Sequence, residues 1–164
     1  MTETKRRQRN AEKQAELYPT FRVRIGSVIT ALEDQGIRPR IQEAYRSPAD
    51  QLTAWRSGHS KLKFGFHNVT GAAGAKEALA VDLLDDDQPT NPSVGYLLRL
   101  AAAAEANGLV TGIRWGLPPS LSAAIDGALA SSSFGAPVKV GWDPTHIQPT
   151  GITVTEARGG KRPL

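Results

Sequence analysis

The chain has 164 residues, 40% of them hydrophobic and 22% charged, with a net charge of +4 and no cysteine. That length suits one domain, the apolar share is enough for a packed core, and the missing cysteine excludes disulfides and thiolate metal sites. No stretch approaches the ~20 apolar residues of a membrane span. The start Met1–Arg9 is basic but has no apolar run behind it, so it does not read as a secretory signal. The expectation is synthesis in the cytoplasm, with any target outside reached by release or injection.

In chain order, residues 1–17 form a basic N-terminal segment with helix-favouring Ala11 to Leu17. Pro19 opens a helix whose apolar positions are Phe21, Val23, Ile25, Val28, Ile29 and Leu32, stopped at Gly36. Ile37 to Tyr45 reads as a strand. Ser47-Pro48 starts a helix over 49–57, and His59 to Phe66 is a loop, with His59 a structural residue. Ala78 to Leu84 is a second strand, ended by Asp85-Asp86-Asp87. Those three carboxylates read as a solvated turn; a calcium loop is the rival, but alternating spacing and a closing Glu are missing.

Ser93 starts an amphipathic helix to Asn107-Gly108, and Leu109 to Trp115 is a strand. Residues 117–136 are an excursion with a short helix over 120–129. Val138 to Trp142 and His146 to Ile152 are short strands around Asp143-Pro144-Thr145. Trp55 and Trp115 read as core or cleft wall. Helices segregated from a few strands predict an α+β fold: a small antiparallel sheet with flanking helices, in a main domain of residues 18–152. Residues 153–164 form a basic tail. The charged ends, Lys5, Arg6, Arg7, Arg9 and Lys13 at one and Arg158, Lys161 and Arg162 at the other, either attract an anionic polymer or are simply solvated.

The run His67 to Asp82 opens with a histidine and closes with an aspartate set among Ala78, Leu79, Ala80, Val81, Leu83 and Leu84. A carboxylate within an apolar strand is costly to bury without a partner, and a metal ion is one such partner. Zinc takes imidazole and carboxylate ligands, three from the protein at a catalytic site. With only His59, His67 and His146 available, His146 in Trp142-Asp143-Pro144-Thr145-His146 is the third candidate. Asp143, three residues earlier, is placed to act as a general base. In a straight strand the two would face opposite ways, so Pro144 must mark a turn or bulge.

These segments, with Tyr45-Arg46-Ser47-Pro48 followed by Gln51 and with Ile113-Arg114-Trp115-Gly116, resemble the VanY-type zinc D-Ala-D-Ala carboxypeptidases and L-alanyl-D-glutamate endopeptidases, which include small phage endolysins. The matched segments span residues 45–147. The resemblance implies a single domain around a zinc-bearing cleft, with His67, Asp82 and His146 as zinc ligands and Asp143 as general base. Arg46 would hold a substrate carboxylate or polarise the scissile carbonyl, and Ser47 would assist beside it. It implies a peptidoglycan stem peptide as substrate, a monomer, and no nucleic-acid partner, with the basic termini drawn to the cell wall or an outer-membrane surface. An endopeptidase of the endolysin kind is favoured. The alternatives are a carboxypeptidase of the same family and a non-enzymatic binder of anionic wall polymer.

Two departures from the family pattern stand out. His67 and Asp82 are fifteen positions apart, wider than the family's compact spacing, with Val69 to Glu77 as an inserted turn. Pro144-Thr145 fills a gap where the family usually carries a bulky residue. Were Asp143 not the base, Glu77 or Asp85 would be next in line.

Overall fold

The computed structural model describes all 164 residues. Its elements are α1 (Glu3–Gln14), α2 (Pro19–Glu33), β1 (Pro39–Glu43), α3 (Pro48–Arg56), β2 (Val81–Asp85), α4 (Val94–Ala106), β3 (Leu109–Gly112), α5 (Pro119–Ala130), β4 (Asp143–Pro149) and α6 (Val154–Arg158). The strands form one antiparallel sheet in the order β1-β2-β4-β3, so the predicted α+β class holds.

Local chemistry explains most starts. Thr2, Ser47 and Ser93 each turn a hydroxyl oxygen onto the backbone N–H three residues on, capping α1, α3 and α4. Pro19, Pro48 and Pro119 occupy first turns, where no N–H is missed. α4 carries the strongest apolar face, burying Leu97, Leu98, Leu100, Ala101 and Ala104 against α2 and β3. Burying each leucine there contributes roughly 1.5–3 kcal/mol. Tyr96 adds a hydroxyl that donates to the Leu83 carbonyl at 2.6 Å.

On β2, Val81 and Leu83 are buried in the helix-covered core, so the intervening Asp82 faces the other way. The sheet thus has a core face and a cleft face, and the aspartate stands on the latter.

Several sequence expectations are revised. Val138 to Trp142 is not a strand. Its polar groups go to the turn after β3 instead of to a ladder: Gly141 N–H donates to Ile113 O at 2.5 Å and Trp142 N–H to Trp115 O at 3.2 Å. For the same reason β3 ends at Gly112, short of Trp115. Asp86 is not solvated. It is 9% exposed and ion-paired with Arg40, Arg38 and the α-amino group. Asp85 accepts from Asp87 N–H, so the acidic triplet is engaged within the fold.

The basic ends are docked as well. Arg6 is 1% exposed, paired with Glu3 and Glu33 and donating to Pro39 O. At the other end Arg162 pairs with Glu77 at 2.6 Å and stacks over Tyr18. Trp55 is partly exposed beneath Lys63 and lies outside the core. No helix is long and apolar enough to cross a membrane.

Candidate metal centre

Three elements bring His67, Asp82 and His146 together. Asp82 on β2 lies directly opposite His146 on β4 and next to Glu43 on β1, so all three stand in one row across the sheet. His67 arrives from a short 3-10 turn, Phe66–Asn68, pinned to the end of β1. Arg46 N–H donates to His67 O at 2.9 Å, and the buried Asn68 amide donates to Arg46 O at 2.8 Å and accepts from Gly65 N–H at 2.7 Å.

The long spacing between His67 and Asp82 does not spread the cluster. Val69–Glu77 folds back on itself, with Thr70 bridged to Lys76 and Glu77 N–H donating to Val69 O at 3.1 Å.

Each imidazole has one nitrogen engaged and one directed at the cluster. His67 Nδ1–H donates to Ala44 O at 2.6 Å, leaving Nε2 at 3.6 Å from Asp82 Oδ2. His146 Nε2–H donates to Gln148 Oε1 at 3.0 Å, leaving Nδ1 at 3.5 Å from Asp82 Oδ1. Such outer hydrogen bonds fix the tautomer that presents a lone pair to a metal. Ligands at ~2.0–2.1 Å in tetrahedral array lie roughly 3.4 Å apart. The donor separations here are close to that, all three ligand atoms lying within 4.8 Å of one another. The donor set, two imidazoles and one carboxylate, therefore fits a metal ion.

Asp143 lies beside the cluster, its Oδ2 3.8 Å from His146 Nδ1. The expected bulge is what puts it there. Thr111 on β3 pairs with Ile147, yet the next residue, Gly112, pairs with Asp143, so Pro144–His146 is extra length on β4. That crossing needs glycine. A Cβ on Gly112 would lie 2.1 Å from Asp143 O, and one on Gly141 would lie 2.5 Å from Trp115 N, both rigid backbone atoms.

The electrostatics separate the two aspartates. Burial pushes the Asp82 carboxyl up, but the two histidines outweigh it and hold Asp82 well below the usual carboxylate range. At Asp143 burial dominates and raises its pKa; the His146 charge opposes this, the Asp82 charge adds to it, and His67 opposes it least. For His67, burial disfavours the charged ring, and Asp82 overcomes that to raise its pKa.

The cluster sits in a cleft of about 590 Å³ whose wall includes Arg46, Lys61, Trp115, Trp142 and Asp143. Arg46 is held on three sides. Nε and Nη2 both go to the Glu43 carboxylate, and Nη1 donates to Gln51 Oε1 at 2.8 Å. Ser47, expected beside the substrate, instead caps α3 through Asp50 N–H and is not among the residues lining the cleft. His59 is bonded to Ser57 Oγ and lines the cleft. Glu77 is tied to Arg162, and neither it nor Asp85 lines the cleft.

Glu43, Gln148 and Asn68 escaped the sequence reading. Gln148 was findable, since two residues beyond His146 on a strand is the same face. Glu43 and Asn68 depend on tertiary placement.

No protein-family model matches the chain, and no curated relative matches it by sequence. Among solved structures the chain is similar to the L-Ala D-Glu endopeptidase ChiX of Serratia marcescens, with 20% identity, a TM-score of 0.49, and coverage of 87% of this chain and 86% of that one.

Proposed function

We propose that this protein is a zinc-dependent peptidoglycan peptidase that cleaves a peptide bond of the cell-wall stem peptide, as an L-alanyl-D-glutamate endopeptidase of the endolysin kind. The observation that carries the reading is the convergence of His67, Asp82 and His146 with Asp143 beside them in an open cleft. The order of the sequence motifs supports it. Against a purely electrostatic wall binder, much of the basic charge is spent internally: Arg6, Arg38, Arg40 and Arg162 all face carboxylates within the fold.

His67, Asp82 and His146 hold the metal. Zinc, when bound, supplies Lewis acidity and brings the pKa of water towards ~7. Asp143 provides the proton path. From its place beside the cluster it would take the proton of the attacking water as the C–O bond forms. Asp143 then returns that proton to the leaving amine as the C–N bond breaks. Arg46 still has one N–H on each terminal nitrogen after serving Glu43 and Gln51, enough to grip a substrate carboxylate or carbonyl.

The test is a digest of purified peptidoglycan by the zinc-loaded protein, read by mass spectrometry. Stem peptides starting at D-Glu support the endopeptidase. Release of terminal D-Ala identifies the carboxypeptidase instead, and an unchanged digest overturns both. Asp143→Asn is expected to retain zinc and to cleave at least about a hundredfold more slowly. Loss of zinc in that variant would make Asp143 a ligand.

A further inference from the structure

Lys61 is unlike the other cation of the cleft. Arg46 is neutralised by a two-pronged pairing with Glu43. Lys61 lines the same cleft with no carboxylate partner; its ammonium lies over the ring of Trp142, 5.2 Å from the centroid. Trp142 is 62% exposed and immediately precedes Asp143. Its ring lies 5.3 Å from that of Trp115, which in turn lies 5.3 Å from the ring of His146. A continuous row of rings therefore leads from the metal cluster to one unpaired cation.

The loop that carries Lys61 is not left to chance. Gln51, 3% exposed, donates through Nε2 to Ser60 Oγ at 2.7 Å and to Leu62 O at 2.6 Å, on either side of Lys61. The same amide accepts from Arg46 at 2.8 Å. One buried amide thus orients both cations of the cleft. An ammonium on an exposed aromatic face is only weakly held, so it can turn to an anion that arrives beside it.

We propose that Lys61 determines specificity by binding a free carboxylate of the substrate in this cleft, the α-carboxylate that a γ-linked glutamyl residue keeps. The inference rests on the peptidase reading and names the substrate class for that site: acidic peptides, with carboxamides disfavoured. Gln51 is the positioning residue behind it.

The experiment uses two synthetic stem peptides, alike except that the D-glutamyl α-carboxylate is free in one and amidated in the other. Cleavage rates and binding, the latter by quenching of tryptophan fluorescence, are measured for the full-length zinc-loaded protein and its variants. The parent is expected to favour the free acid by about tenfold in KM, the scale of a hydrogen bond to a charged group. Lys61→Gln should abolish that preference by raising KM for the free acid, and Lys61→Arg should restore it. Lys63→Gln, in the same loop but over Trp55, should keep the parent's preference. If Lys61→Gln cleaves both peptides with the parent's acid-to-amide ratio, this inference falls and the peptidase reading stands. If neither peptide binds or is cleaved by the parent, both fall.

Discussion

Arg46 and Glu43 show how a single side chain is aimed. Ile41 on β1 faces the core, and two residues further along a regular strand Glu43 would face it too. The ladder slips between Ile41 and Glu43, so that Ile41 pairs with Leu83 and Glu43 with Asp82. This bulge turns Glu43 to the cleft side, where it takes the Arg46 fork. Lysine at position 46 keeps the charge but offers one nitrogen, which cannot span the two Glu43 oxygens and Gln51 together. Arg46→Lys is expected to retain zinc and fold and to lose at least about tenfold in kcat/KM, since a charge-assisted pair is replaced by a weaker one. Equal turnover in the two proteins would refute a role for the fork. The family resemblance of Tyr45-Arg46-Ser47-Pro48 pointed to Arg46, but Glu43 was invisible in the sequence, because a one-residue bulge leaves no mark in the hydrophobic pattern.

At the scale of elements, the N-terminal helix repays attention because its composition misleads. α1 is so polar that its sequence reads as a solvated basic arm, yet it lies along β1. Its inner face is built from polar groups matched to backbone. Asn10 donates to Pro39 O at 2.9 Å and accepts from Ile41 N–H at 2.8 Å, and Arg9 donates to Ile41 O at 2.8 Å. Edge strand β1 is thereby covered, which removes an aggregation-prone edge. A hydrophobic-periodicity argument cannot find such a helix, since what it buries is hydrogen-bonding capacity. Arg6→Ala removes a buried guanidinium that Glu3, Glu33 and Pro39 O hold in place, and is expected to lower stability by about 1–3 kcal/mol at neutral pH in denaturant titration. The gap should narrow in acid. Hydrogen bonds from Arg6 and Arg7 depress Glu3 from its ordinary 4.5 to about 2, so its contribution is complete above pH 4.5 and is lost as pH falls towards 2. An Arg6→Ala gap that stays constant over that range would show that Glu3 does not take part. Other elements were easier to read: α2 and α4 follow a 3.6-residue apolar period, and the bulge at Pro144 followed from asking how Asp143 and His146 could face one site.

For the molecule as a whole, the His67–Asp82–His146 cluster draws on three separate segments: the turn after the α3 loop, β2 and β4. β2 and β4 are neighbours in the sheet although α4, β3 and α5 lie between them in the chain. A bound ion therefore ties together segments that separate on unfolding, and such binding adds directly to stability. At free zinc a hundredfold above its dissociation constant the gain is ~2.7 kcal/mol, which for a domain of this size corresponds to a rise in Tm of roughly 5–11 °C. Thermal unfolding with added zinc and with chelator should show that difference in the parent protein. Asp143→Asn should show it too, because Asp143 is assigned the proton and not the metal. His146→Ala removes one of three donors and should flatten the response. A zinc-dependent Tm that persists in His146→Ala would move the ion to other residues, and with it the chemistry assigned to this cleft.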